Sequence, residues 1–259
     1  LMKRPYILVA PNGARRNKDD HPQLPMTIGE IVETAKSCFE AGADGIHAHV
    51  RGAQGQHVLD AGLYKELIAE LNIHVPQMDV QITTEAVGLF TPTQQMAIVR
   101  QVEPKMVSIG LSELCAHDDK SELAAFYHEV MGAGIEVQHI LYDPAELQYF
   151  EQMVDQKVIP CEAPSFLFVL GRYTAGQLSN PQHFDPFFGG FLESPFAHTG
   201  KFMTCAFGPR ETTCLLHAAE NGSDCRVGFE NNLQMENGEL ATDNAARVAE
   251  LVERLDRLK

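Results

Sequence analysis

The sequence has no tryptophan, no Cys-x-x-Cys pair, no surplus of basic residues and no apolar stretch of membrane-spanning length. Without an indole, no site can be built on one. Only 20 lysines and arginines stand against 35 acidic residues, a formal charge of −15, which argues against a nucleic-acid surface. That balance does not forbid an anionic small ligand, because a few arginines can override the global field locally. The six cysteines (Cys38, Cys115, Cys161, Cys205, Cys214 and Cys225) stand singly, and no secretory leader is read. Reduced thiols in a cytoplasmic protein are therefore expected. The lack of a long apolar run argues against membrane insertion.

What is present is a core. The chain has 259 residues, 44% of them hydrophobic, which suits one α/β domain over residues 1–259. β-rich runs recur at Tyr6–Ala10, Gly45–Val50, Asp79–Thr84, Met106–Gly110, Glu136–Tyr142, Phe166–Leu170, Lys201–Phe207 and Arg226–Glu230. Amphipathic stretches alternate with them: Thr27–Ala41, Ala61–Leu71, Thr93–Gln101, Glu122–Met131, Ala145–Gln156, Arg210–Glu220 and Ala241–Leu258. Helix starts are signalled by Thr27 with Glu30, by Thr91-Pro92 and by Asp143-Pro144. Eight strand–helix units in this length predict a (β/α)8 TIM barrel, with a doubly wound open sheet as the rival. Tyr173–Ser194 is the least regular stretch and reads as a poorly formed sixth helix; a loop shaping a subunit contact is the alternative.

Within this pattern two histidines alternate along Gly45-Ile46-His47-Ala48-His49-Val50, and a glutamate closes Cys225-Arg226-Val227-Gly228-Phe229-Glu230. A strand has a period of two, so His47 and His49 share a face. In a barrel, closure places the first strand between the second and the eighth, and the chemistry sits at the C-terminal strand ends. Two imidazoles and the Glu230 carboxylate can then meet as three ligands of a divalent metal with a coordination position left open, as catalytic sites require. Such a set suits Zn²⁺, and also Fe, Co or Ni. Hydrogen-bonded core histidines are the plain alternative.

Other residues are individually weaker. Arg226 shares the parity of Glu230 and needs an anion if buried: a structural acid, a substrate carboxylate or a base that it orients. Gly228 removes a side chain and could make room for a ligand. Asn12, Arg15 and Arg16 follow the first strand, where an arginine could receive a carboxylate or phosphate. Thr83 and Glu85 end the third strand and Glu113 follows the fourth. His139 lies on the fifth. Gly208-Pro209-Arg210 leads into a helix N-terminus, a reasonable anion site.

The chain resembles the β-keto acid cleavage enzyme family. The resemblance rests on Asn12-Gly13-Ala14, His21-Pro22-Gln23-Leu24-Pro25, Gly42 to Arg51 with its HxHVR core, Phe168-Val169-Leu170-Gly171, Arg226 to Asn232 and Leu240 to Asn244, in family order over nearly the whole chain. It implies a (β/α)8 barrel with one zinc ion on His47, His49 and Glu230. It implies a reaction in which a β-keto acid and acetyl-CoA give acetoacetate and a new acyl-CoA, the metal serving as Lewis acid for a C2 enolate. Arg226 matches the family arginine that works with the base. A homotetramer or homodimer is expected from the same resemblance.

This chain departs from the family pattern in its pocket. Asn231 stands where the family has an aspartate held to take part in deprotonation, and an amide is no base near neutral pH. Arg15 replaces a glutamate, which should favour an anionic substrate tail. Thr83-Thr84-Glu85-Ala86 replaces a small Ser-Thr-Gly-Gly turn, and Gln138 or Ile140 falls where an acid is usual. Glu85 and Glu113 are then the candidate bases. Two other readings stand beside this one: a metal-dependent barrel hydrolase, in which His139 could be drafted as a ligand, and a non-catalytic metal-binding relative, which Asn231 would favour.

Overall fold

The eight apolar runs pair in chain order until the last closes on the first. In the computed structural model, which describes residues 4–258, the strands are β1 (Ile7–Val9), β2 (Gly45–Ala48), β3 (Asp79–Thr83), β4 (Met106–Gly110), β5 (Glu136–Leu141), β6 (Ser165–Leu170), β7 (Lys201–Ala206) and β8 (Asp224–Val227). All neighbours are parallel, and β1 is hydrogen-bonded to both β2 and β8, so the expected (β/α)8 barrel is the one found. The helices are α1 (Ile28–Ala41), α2 (Ala61–His74), α3 (Pro92–Val102), α4 (Leu111–Leu114), α5 (Lys120–Gly132), α6 (Glu146–Asp155), α7 (Asp185–Glu193), α8 (Glu211–Glu220) and α9 (Asn244–Asp256). No helix among the described residues is long and apolar enough to cross a membrane.

Strand alternation divides the interior in two. Outward residues such as Ile46, Val107, Val137 and Phe166 meet the helices in the large outer core. Inward ones, including Leu8, Ile140, Leu167, Val169, Met203 and Cys205, form a smaller core inside the barrel. Strands buried on both faces read as continuous apolar runs, which is why they were legible.

Helix starts follow local chemistry. Thr27 and Thr91 each close a capping box, with Glu30 and Gln94, and Pro92 sits in the first turn of α3. Asp143 behaves differently. Its side chain accepts from Ala145 N at 2.8 Å in a turn, and α6 starts only at Glu146. The 173–194 stretch is better ordered than expected: two 3-10 turns lead into α7, whose Phe187 and Phe191 bury against Phe168 and Phe202.

Candidate active site

His47 ends up near the C-terminal end of β2, and His49 lies just beyond it. Their Nε2 atoms are 3.2 Å apart. Glu230 Oε1 lies 3.3 Å from His49 Nε2, and Oε2 lies 3.9 Å from His47 Nε2. Among the described residues these three form a group able to hold an ion, with donor atoms all within 4.8 Å of one another. Donors about 2.0–2.1 Å from a tetrahedral centre are about 3.3 Å apart, so the trio fits one face of such a centre with little movement.

The hydrogen bonds decide which nitrogen each ring presents. Arg226, a donor only, gives Nη2 hydrogens to Gln81 Oε1 at 3.0 Å and Gln138 Oε1 at 3.1 Å, which orients both amides. His47 Nδ1, 2.8 Å from Gln81 Oε1, must therefore donate to it, leaving Nε2 with a lone pair. His57 Nε2 donates to the Glu85 carbonyl at 2.7 Å, so its Nδ1 is the acceptor in the 3.2 Å contact with His49 Nδ1. His49 Nε2 is thus bare as well. Burial, then the Arg226 charge, pushes His47 well below the ordinary histidine range, and burial lowers His57 to about 3. Glu230 Oε2 is buried without a hydrogen-bond partner. Burial raises this carboxyl, and the Arg226 guanidinium 4.0 Å from Oε2 is the fixed positive charge that lowers it. Two imidazole nitrogens and a carboxylate converging on one point are a donor set that fits a divalent metal.

The strand β8 stops at Val227, and Glu230 reaches the site from a turn. Gly228 makes that turn: its φ is +146°, and a Cβ there would lie 2.3 Å from Ala10 O. The space freed by its missing side chain is filled by that carbonyl, not by a ligand. Asn244 pins the turn by accepting from Phe229 N at 2.9 Å and donating to Pro11 O at 3.0 Å. Glu211, buried with Arg247 at 2.8 Å, accepts from Gly228 N. On the other side Arg51 donates to the carbonyls of Asn12 and Gly13. Gly13 lies against Glu230, whose Cγ would be 2.8 Å from an added Cβ. Much of the family-like motif thus holds Glu230 in place.

A cavity opens above the trio, lined by Asn12, Arg15, Thr83, Glu85, Arg226 and Asn231 among others. Asn12 is fully buried and structurally engaged, bonding both ways to the His49 backbone. Thr83 Oγ1 accepts from Glu85 N at 3.0 Å. Glu85 Oε1 pairs with Arg15 at 3.1 Å, and its Oε2 lies 3.9 Å from His49 Nε2. Asn231 is buried with Oδ1 unpartnered. Cys205 also faces the cavity, but burial pushes its thiol up to about 12, which keeps it protonated.

Two sequence candidates stand apart. Glu113 is not among the cavity-lining residues; its Oε1 accepts from Ala86 N at 3.1 Å and from Gln95, and burial raises its carboxyl. Arg210 is exposed at the start of α8, outside that lining. His139 cannot serve as a ligand here. It points outward between barrel and helices, packed on Phe150 at 4.6 Å between ring centres, with both nitrogens unpartnered. Three contributors were not anticipated: His57, Gln81 and Arg172. Only His57 carried a signal, since Gly52-Ala53-Gln54-Gly55 is a turn that folds residue 57 back to bridge with Arg51.

The family described as beta-keto acid cleavage enzyme matches residues 5–259. The chain belongs to this family. It is similar to the "3-keto-5-aminohexanoate cleavage enzyme" of Fusobacterium nucleatum, with 25% identity over 264 residues covering 100% of this chain and 92% of that protein. It is also similar to the "3-oxoadipate:acetyl-CoA acetyltransferase" of Cupriavidus necator, with 23% identity covering 96% and 88%. Among solved structures, apo ObcA superposes with a TM-score of 0.68 at 16% identity over 91% of this chain, which spans 62% of that one; this likeness supports the barrel fold alone.

Proposed function

We propose that this family member exchanges acyl groups between a β-keto acid and acetyl-CoA, giving acetoacetate and a new acyl-CoA, at a metal site on His47, His49 and Glu230. The observation that carries the reading is the convergence of both Nε2 atoms on the Glu230 carboxylate. When bound, the ion supplies Lewis acidity toward substrate oxygens. The chain's own groups handle protons and charge. Glu85 takes the C2 proton through Oε2, since it is the cavity-wall carboxylate nearest the trio, its Oε1 being paired with Arg15, and Asn231 cannot act as a base. Arg226, a buried guanidinium that donates to two neutral amides and lies 4.0 Å from Glu230 Oε2, places positive charge beside substrate oxygens as they become negative. Asn231, just past Glu230, offers a hydrogen-bonding edge to the same cavity.

In balance, C2 loses its proton to Glu85 and attacks the acetyl thioester carbonyl, expelling CoA thiolate. The thiolate adds to the former keto carbon, the C2–C3 bond breaks, and C2 recovers the proton. The products are acetoacetate and the acyl-CoA of the original chain. The sealed position of His139 removes the extra ligand that a hydrolase reading would have used. Zinc as the native ion, a homodimer or homotetramer, and a cytoplasmic location belong to the same proposal, supported by the family resemblance and by cysteines that are all free. Acetyl-CoA labelled with ¹³C in both acetyl carbons tests it: the label must appear in acetoacetate and not in the new acyl-CoA. Label in released acetate would point to hydrolysis instead.

A further inference from the structure

The cavity is not uniform. His47 and His49 come from β2, and in a closed eight-stranded barrel the strand opposite β2 is β6. Between them the lining turns apolar, with Ile140 on β5 and Leu167 and Val169 on β6. Beyond this wall, two residues past the end of β6, Arg172 faces the same cavity. Its guanidinium carbon lies 5.8 Å from the Phe207 ring centre and 5.9 Å from that of Tyr173. It forms no ion pair among the described residues, in a chain whose net charge is −15. Arg15, the residue that sequence alone suggested for an anionic tail, is already paired with Glu85.

We propose that Arg172 receives a second carboxylate at the far end of the β-keto acid, so that 3-oxo dicarboxylates are the substrate class. The inference rests on the reading of the cavity as a β-keto acid site. A substrate anchored by its β-keto acid end at β2 would lay its methylenes along Ile140, Leu167 and Val169 and end at Arg172. The apolar wall cannot solvate a terminal charge, so a cation placed beyond it selects the tail's sign. An ammonium tail, as in 3-keto-5-aminohexanoate, would meet a like charge there. The aromatic rings hold the guanidinium plane without neutralising it.

The test uses the zinc-loaded full chain with acetyl-CoA and three tails: 3-oxoadipate, 3-oxohexanoate and 3-keto-5-aminohexanoate. The expected result is a kcat/KM for 3-oxoadipate ten- to a hundredfold above 3-oxohexanoate, about the worth of a charge-assisted hydrogen bond, with the amine slowest. Arg172→Met should narrow that ratio to near one by raising KM for 3-oxoadipate, and Arg172→Lys should keep part of it. Equal use of the three acids, or preference for the amine, overturns the proposal. So does an Arg172→Met variant whose KM rises only for acetyl-CoA, which would make a CoA phosphate the anion. If no β-keto acid yields acetoacetate, the reaction reading has failed, and calorimetry with adipate still decides on Arg172. Adipate binding lost in Arg172→Met upholds the anion site; binding equal in both proteins, or absent from both, contradicts it.

Discussion

His57 Nδ1 lies 3.2 Å from His49 Nδ1, and because the other nitrogen of His57 is committed to the Glu85 carbonyl, this contact sets which nitrogen of His49 carries the proton. A ring outside the trio therefore prepares one of the proposed ligands. Replacing His57 with Phe removes the acceptor and frees His49 to hold its proton on Nε2, the atom needed for the ion. Metal affinity should fall about 10- to 100-fold, the usual effect of losing such an outer partner. Competition with a chelating indicator measures it; unchanged affinity would show that His49 needs no such orientation.

Glu85 and Glu113 were equivalent in sequence, each just past a strand end. Structure separates them, because Glu113 is tied to Ala86 N and Gln95 while Glu85 faces the cavity. Glu85→Gln should lower kcat by roughly a hundredfold or more, the loss typical of a missing base. It should also suppress deuterium exchange at C2 of the β-keto acid in D2O. Glu113→Gln should change both much less. The reverse ranking would place the base at Glu113.

Gly228 predicts a backbone effect. With φ at +146° and Ala10 O at 2.3 Å from an added Cβ, Gly228→Ala must shift the turn that carries Glu230. A loss of more than about 2 kcal/mol in stability is expected, with weaker metal binding. Thermal melting of the metal-free protein and its metal content after reloading check both. An unchanged melting temperature would show that the turn relaxes freely.

His139 governs acid stability. Burial lowers its pKa from 6.5 to about 3. An unfolded chain takes up a proton on this ring below pH 6.5 while the folded one does not, so this contribution to stability is complete above 6.5 and is lost as pH falls toward 3, by about 1.4 kcal/mol per unit. His139→Phe, into a site walled by Tyr127, Phe150 and Phe166, removes that dependence and two unpartnered nitrogens. Its acid unfolding midpoint should move to lower pH, read by circular dichroism; no movement would mean that His139 is protonated without cost.

The barrel and the meeting of His47, His49 and Glu230 were legible because their signals are local: doubly buried strands are apolar runs, and two residues apart on a strand means one face. The turn at Gly228 was not, since only the folded chain shows Ala10 O occupying the space of its side chain. His57 reaches its partner through a hairpin bridge, Arg51 to His57, rather than through strand periodicity. Arg15 and Arg172 both face the cavity, but Glu85 pairs with the first, and no acid pairs with the second among the described residues. The Arg15–Glu85 pairing spans 70 positions, beyond the reach of any local window of sequence.

The most direct test of the account is acetoacetate production by the zinc-loaded protein from acetyl-CoA and 3-oxoadipate, followed by mass spectrometry with and without a chelator. Acetoacetate and the matching acyl-CoA should appear together in equal amounts, vanish on chelation and return when metal is restored. Product formation that persists in the metal-stripped protein, or none at all with the His47–His49–Glu230 site fully loaded, would contradict it.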